Sequence, residues 1–317
     1  ATTVDTACCS SLTALRLACN GIAAGDFGSA LVVGVEMLSA VPHLVRGLRA
    51  GVRIGEVKMI DPIFPIEYAG YAPVAKDAEY GADRYGISRA DMDKWAHGSH
   101  QKWQAAHEAG RFADELVPLE IQVRRKTITV DRDEQPRPDT TLERLGALPP
   151  VFGTSCITAG NAPGLNDGAV AMVVMSPSKV AELGLEPLGH IVAQAPAADE
   201  PNGITWVPAT ASTAALEKAG STVDDIDLIE INEAFAAMPL VSTRLLSGED
   251  DSRWQALLDR TNVNGGAVSL GHPVGASGLR LVTHLAYELK RRGGGRGLAA
   301  ICGGLSQGEA VVLEAGG

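Results

Sequence analysis

Short, uninterrupted apolar runs set the firmest limit on what this chain can fold into. Residues 30–35 read Ala-Leu-Val-Val-Gly-Val between Gly28 and Ser39, and residues 169–175 form a second such run. A half-exposed strand alternates apolar with polar residues. These runs do not, so each reads as a strand covered on both faces in a parallel sheet. Residues 187–192, 228–231, 298–301 and 310–313 read as further strands. Helical patterns lie between them: Leu12, Leu15, Cys19 and Ile22 share one face, residues 209–219 stop at Gly220, and residues 279–291 form a longer helix. Strands alternating with helices make an α/β chain.

Residues 43–159 break that rhythm. Apolar runs shorten, prolines and charges accumulate, and one clear helix emerges over residues 88–109. Ser88 and Asp91 make a capping box at its start, and Gly110 can close it. The segment reads as a long excursion lying over the sheet. His97, His100 and His107 on that helix read as solvated residues, since no cysteine or carboxylate completes a metal-ligand set. Arg46, Arg49, Arg53, Lys58 and the run Arg124-Arg125-Lys126 make the excursion locally basic. A solvated surface is the plain explanation and a phosphate-bearing substrate the sharper one.

Composition narrows the partners. A formal net charge of −11 argues against nucleic acid, and no basic stripe is interleaved with aromatics. No apolar run is long enough to span a bilayer. Five cysteines, none paired as CxxC, suggest reduced thiols in the cytoplasm. Neither a metal nor a resident cofactor is expected.

Chemistry concentrates at four places. In Thr6-Ala7-Cys8-Cys9-Ser10-Ser11, Cys8 stands at a strand-to-helix passage, where free N–H groups and the helix dipole favour a thiolate. A small buried hydrophobe is the equal alternative; Cys9 and Cys19 are assigned to that class. Ser10 and Ser11 are the expected caps of the helix. Asn232-Glu233-Ala234-Phe235 follows the strand at 228–231, on the side where open α/β sheets place their sites. His272 is fenced by Gly271 and Pro273, and Cys302 is delivered by the strand at 298–301 into Gly303-Gly304. Residues 159–168 (AGNAPGLNDG) form a loop of small residues that lets a ligand approach the backbone. Residues 10–17 faintly echo residues 276–281, which hints at a duplicated design.

Taken together in order, CCSS at Cys8, AGNAPGLNDGA from Ala159, NEAF at Asn232, GGAVSLGHPVGASG from Gly265 and CGG at Cys302 resemble the thiolases. RIGEVKMID from Arg53 and TVDRDEQPRPDTTLERL from Thr129 resemble that family's excursion domain. The resemblance implies two similar α/β halves with an inserted loop domain: residues 1–42 with 160–184, residues 43–159, and residues 185–317. It implies acyl transfer through an acyl-cysteine, either cleaving a 3-ketoacyl-CoA with CoA or condensing two acyl-CoAs, with coenzyme A as substrate. Position by position, Cys8 matches the nucleophile and His272 the group that activates it. Asn232 matches the group that positions an oxyanion-hole water, and Cys302 the acid/base at the substrate's α-carbon. The backbone N–H groups of Cys8 and Gly304 match a second oxyanion hole. Asn161, Ala162, Pro163, Gly164 and Pro73 fall where the CoA and acyl groups lie. A homodimer or homotetramer is implied.

Departures accompany the match. The chain starts seven residues ahead of Cys8, so the first half is expected to lack its opening strands: either the chain is a fragment or a partner chain supplies what is missing. Gly70-Tyr71-Ala72-Pro73 stands where many members carry a histidine-methionine pair, and Pro163 replaces a serine beside the CoA tail. Residues 204–207 replace a turn rich in Gly and Pro. The alternatives are a ketosynthase-like condensing enzyme, which the second thiol Cys302 disfavours, and a non-catalytic CoA-binding or scaffold subunit.

Overall fold

The computed structural model describes residues 1–63 and 73–316. The first elements are α1 (Ser10–Ala24), β1 (Ser29–Met37), the short β2 (Leu44–Val45) and β3 (Met59–Ile60), α2 (Val74–Arg84) and α3 (Arg89–Glu108). β4 (Leu119–Val123), β5 (Lys126–Val130), α4 (Leu142–Gly146), β6 (Asp167–Met175) and α5 (Pro177–Leu183) follow. The remainder is β7 (His190–Ala198), α6 (Val207–Lys218), β8 (Leu228–Ile231), α7 (Ala237–Leu246), α8 (Asp251–Asp259), α9 (Ala267–Leu270), α10 (Val274–Arg291), β9 (Gly295–Gly303) and β10 (Gln307–Ala315).

The larger sheet has the order β7-β10-β9-β8, with β10 antiparallel to both neighbours and β8 parallel to β9. One face packs on α1 and α10 through Cys9, Leu12, Leu15, Leu279, Leu285 and Ile301. The other packs on α6 and α7 through Val207, Ala211, Met238 and Val241. β8 and most of β9 are buried, as their apolar runs require.

β1 and β6 depart from expectation. They pair antiparallel, from Ser29 opposite Met175 to Met37 opposite Asp167, not parallel. Their burial alternates, because among the described residues only the face toward α1 and α10 is covered. Val32 points inward while Leu31, Val33, Val35 and Met37 are exposed. Where strand and helices cross, small residues are required: a Cβ on Gly34 would lie 2.7 Å from the Ser11 Cβ and 2.9 Å from the Gly275 carbonyl.

Helix starts also differ. α10 begins at Val274, five residues before its apolar periodicity does, so Gly275 and Gly278 lie inside it. A Cβ on Gly278 would meet the Leu12 Cγ at 2.8 Å, so these glycines let α1 and α10 touch. Neither Ser10 nor Ser11 caps α1, whose N-cap is Cys9. Ser10 Oγ donates to the Ala7 carbonyl at 2.6 Å, and Ser11 Oγ accepts from the Leu279 N–H at 2.9 Å. Over residues 7–24 the chain is apolar enough to span a bilayer by composition, contrary to the sequence reading, yet Leu12 and Leu15 of this helix are core residues.

In the excursion, α3 starts at the expected capping box, with Ser88 and Asp91 each bonding the other's backbone. His100 is not solvated: it is buried, accepts the Arg137 N–H at Nδ1, and burial lowers its pKa to about 4. Gly70, Tyr71 and Ala72 fall outside the described residues.

Candidate active site

Cys8 sits on a turn held from several sides. Ala7 has φ 52°, the left-handed region that costs a non-glycine residue about 1–3 kcal/mol. Its N–H donates to Asp5 Oδ1 at 2.9 Å, the Cys9 N–H to the Thr6 carbonyl at 3.2 Å, and the Thr6 N–H to Ser10 Oγ at 3.0 Å. The turn throws the Cys8 side chain forward while Cys9 drops into the core.

His272 meets it from the other half of the chain. Gly271, at φ 97°, leaves room for Asn166, whose Oδ1 accepts the His272 N–H at 3.3 Å. The imidazole Nε2 lies 3.2 Å from Cys8 Sγ and 3.4 Å from Asn232 Nδ2. Its Nδ1 lies 2.7 Å from Ser277 Oγ. Asn232 is fully buried directly after β8, its N–H bonded to the Ala300 carbonyl at 3.0 Å. Its Oδ1 has no hydrogen-bond partner among the described residues.

Cys8, His272, Cys302, Gly303 and Gly304 line one cleft of about 170 Å³ together with Ala162, Pro163 and Gly164. Its walls are apolar: Ile63, Val74, Phe152, Ile204 and Phe235. A larger polar cleft of about 660 Å³, between α3 and residues 128–138, contains none of these groups.

Burial decides the protonation states. It pushes the Cys8 thiol up to about 12, opposed by the residue's own N–H and reinforced by the Glu36 carboxylate. It also holds Cys302 well above an ordinary thiol, with Cys8 adding to the effect. His272 is lowered to about 3, by burial first and by the Arg280 charge second. The resting set is therefore two thiols and a neutral imidazole. Burial thus works against the thiolate expected at the start of α1.

Asn161 is not in the cleft. Its Oδ1 accepts the Thr158 N–H at 2.9 Å, its Nδ2 donates to Asp93 and the Cys156 carbonyl at 3.0 Å each, and its carbonyl accepts from Ala236. It anchors the loop whose next residues line the cleft. Pro73 precedes α2 as its N-cap, and Val74, not Pro73, faces the cleft. Glu233, readable as a mere helix-start carboxylate, is completely buried and accepts from Trp95, Ser99, Asn262 and the Val268 N–H, each at 2.9 Å. Ser277, Asn166 and the apolar walls were not singled out from sequence. Ser277, Asn166, Phe235 and Ile204 lie inside the segments that were.

Comparison with known proteins follows the same lines. The family model "Thiolase, N-terminal domain" matches residues 1–178 and "Thiolase, C-terminal domain" residues 185–315. The chain is 43% identical over 320 residues to an acetyl-CoA acetyltransferase of Allochromatium vinosum, covering 99% of this chain and 79% of that one. It is 38% identical to the mitochondrial 3-ketoacyl-CoA thiolase of Pongo abelii, covering 99% and 78%. The crystal structure of human mitochondrial 3-ketoacyl-CoA thiolase superposes with a TM-score of 0.92 at 38% identity, covering 99% of this chain and 78% of that one. The same enzyme in complex with CoA gives 0.91, covering 99% and 77%.

Proposed function

The chain belongs to the thiolase family, and on that premise we propose that it works as an acyl-CoA C-acyltransferase through an acyl-Cys8 intermediate. The observation that carries the proposal is the 3.2 Å approach of His272 Nε2 to Cys8 Sγ in a cleft that also holds the second thiol, Cys302.

In the cleavage direction, Cys8 Sγ attacks the 3-keto carbon while its proton passes to His272 Nε2. The alkoxide is stabilised by fixed donors, each worth about 2.7–4 kcal/mol in such sites; the backbone N–H groups of Cys8 and Gly304 supply them, and Asn232 is placed beside His272 to position an oxyanion-hole water. The bond between C2 and C3 breaks, and the departing carbanion takes the proton of Cys302. Burial keeps that thiol protonated at rest, the form this step needs. CoA then gives its thiol proton to the Cys302 thiolate and attacks the acyl group. Cys8 leaves and recovers its proton from His272, restoring two thiols and a neutral ring. Condensation is the reverse sequence.

The small residues Ala162, Pro163 and Gly164 lining the cleft support a narrow thioester tail lying there, and the apolar walls support an acyl chain of the kind fatty acid metabolism supplies. Exposed Leu31, Val33, Val35 and Met37 support a homo-oligomer, with cytoplasmic location in keeping with the reduced thiols. The test is CoA-dependent cleavage of acetoacetyl-CoA and longer 3-ketoacyl-CoAs. Turnover that Cys8→Ala abolishes supports the reading; no turnover on any of them, from folded protein, refutes it.

A further inference from the structure

The histidine ring is held at both nitrogens, and its second partner is not part of the reaction scheme above. Ser277 lies five residues after His272, in the second turn of α10, fully buried. Its Oγ stands 2.7 Å from His272 Nδ1 and donates to the Pro273 carbonyl at 2.9 Å. We propose that Ser277 is a positioning residue that fixes the tautomer of His272, keeping the ring proton on Nδ1 so that Nε2 is free to take the Cys8 proton.

A serine hydroxyl has one proton and two lone pairs. We place that proton on the Pro273 carbonyl four residues back, at 2.9 Å, the usual bond of a serine inside a helix. Toward His272 the hydroxyl is then an acceptor, and Nδ1 must carry the hydrogen. The other side of the ring agrees, because the Asn232 Nδ2 that faces Nε2 at 3.4 Å can only donate. A bare Nε2 accepts there; a protonated one would set two N–H groups against each other. Which nitrogen of a histidine is basic is set by the bond its other nitrogen makes. Here that bond comes from the backbone-locked start of a helix, with Pro273 supplying both the turn and the carbonyl that orients the hydroxyl.

The inference rests on acyl transfer at Cys8 but is read separately from it. Long-range proton–nitrogen NMR of the histidine rings, with His272→Ala to assign the signal, reports the tautomer directly. The expected spectrum has the His272 proton on Nδ1, and Ser277→Ala raises the Nε2–H form. In the same variant, single-turnover acyl transfer from acyl-CoA to Cys8 falls about tenfold, which corresponds to 1.36 kcal/mol. Ser277→Thr, which keeps the hydroxyl, restores both; if it does not fold, the spectra of the unsubstituted protein and of Ser277→Ala decide. An Nε2–H ring in the unsubstituted protein, or Ser277→Ala acylating at the full rate, overturns the inference. A ring proton on Nδ1 with no acyl-Cys8 ever formed refutes the acyl-transfer reading and leaves the tautomer assignment standing.

Discussion

Glu233→Gln isolates the buried clamp that unites the halves of the site. The carboxylate splits its work evenly: Oε1 accepts from Trp95 Nε1 and Asn262 Nδ2, and Oε2 accepts from Ser99 Oγ and the Val268 N–H, all at 2.9 Å. Those donors belong to α3, to the loop after β8's neighbour at Thr261, and to α9, which leads into His272. Gly266 leaves the space, since a Cβ there would lie 2.3 Å from the Glu233 carboxyl carbon. Glutamine is almost isosteric, but Trp95 Nε1, Asn262 Nδ2 and the Val268 N–H can only donate. An NH₂ at the Oε1 position therefore loses two bonds; one at Oε2 loses the Val268 bond, with Ser99 turning to accept and donating to Ser269 instead. At about 1.5–3 kcal/mol per bond to a charged acceptor, the loss is about 1.5–6 kcal/mol, according to which way the amide settles. A single domain has about 5–15 kcal/mol in total, so a sizeable part of the stability goes. Urea unfolding followed by far-UV circular dichroism reads the change as a shift in midpoint. A shift equivalent to under about 1 kcal/mol would refute the clamp, because a merely solvated surface carboxylate loses no more than that.

Further outcomes follow from the same geometry. Cys302→Ala removes the proton donor for the departing carbanion, so cleavage turnover drops about 10²–10⁴-fold. Acyl transfer from acetyl-CoA onto Cys8 is slowed but persists, because CoA can leave as a thiolate without protonation; mass spectrometry of the intact chain separates the two. The raised pKa of Cys8 keeps it a neutral thiol below about 12, so its alkylation by iodoacetamide climbs steadily through pH 7–10. A plateau near neutrality would mean a thiolate–imidazolium pair at rest. Gly34→Ala forces a methyl against Ser11 and the Gly275 carbonyl and costs about 1–3 kcal/mol of overpacking, read by thermal unfolding; an unchanged midpoint would show that α1 and α10 can part.

What could be read from sequence tracked local physics. The Ser88–Asp91 capping box and the run at 228–231 carry their own signals, and α3 and β8 start where those signals say. Cys8, His272 and Cys302 stood out because each is bracketed by turn residues at the end of a strand or the start of a helix. Protonation was not legible, since whether Cys8 is a thiol depends on dehydration by residues hundreds of positions away. The direction of β6 against β1 was equally hidden, because an apolar run does not record which way its neighbour points. Asn161 looked like a ligand contact because loops of Gly and Asn suit ligands; its bonds to Asp93 and Cys156 arise only when the excursion folds back. Glu233 follows the same logic, since its partners Trp95 and Ser99 come from α3 and Asn262 and Val268 from residues some thirty positions on.

The decisive measurement is where the acyl group resides during turnover. Acetoacetyl-CoA is mixed with the enzyme, the reaction is quenched in acid within one turnover, and the peptides are weighed. One acetyl group on the peptide containing Cys8, lost on adding CoA and absent from His272→Ala, is the expected result. Turnover that proceeds with Cys8 unmodified, or an acetyl group found on Cys302 or Cys9 instead, would contradict it.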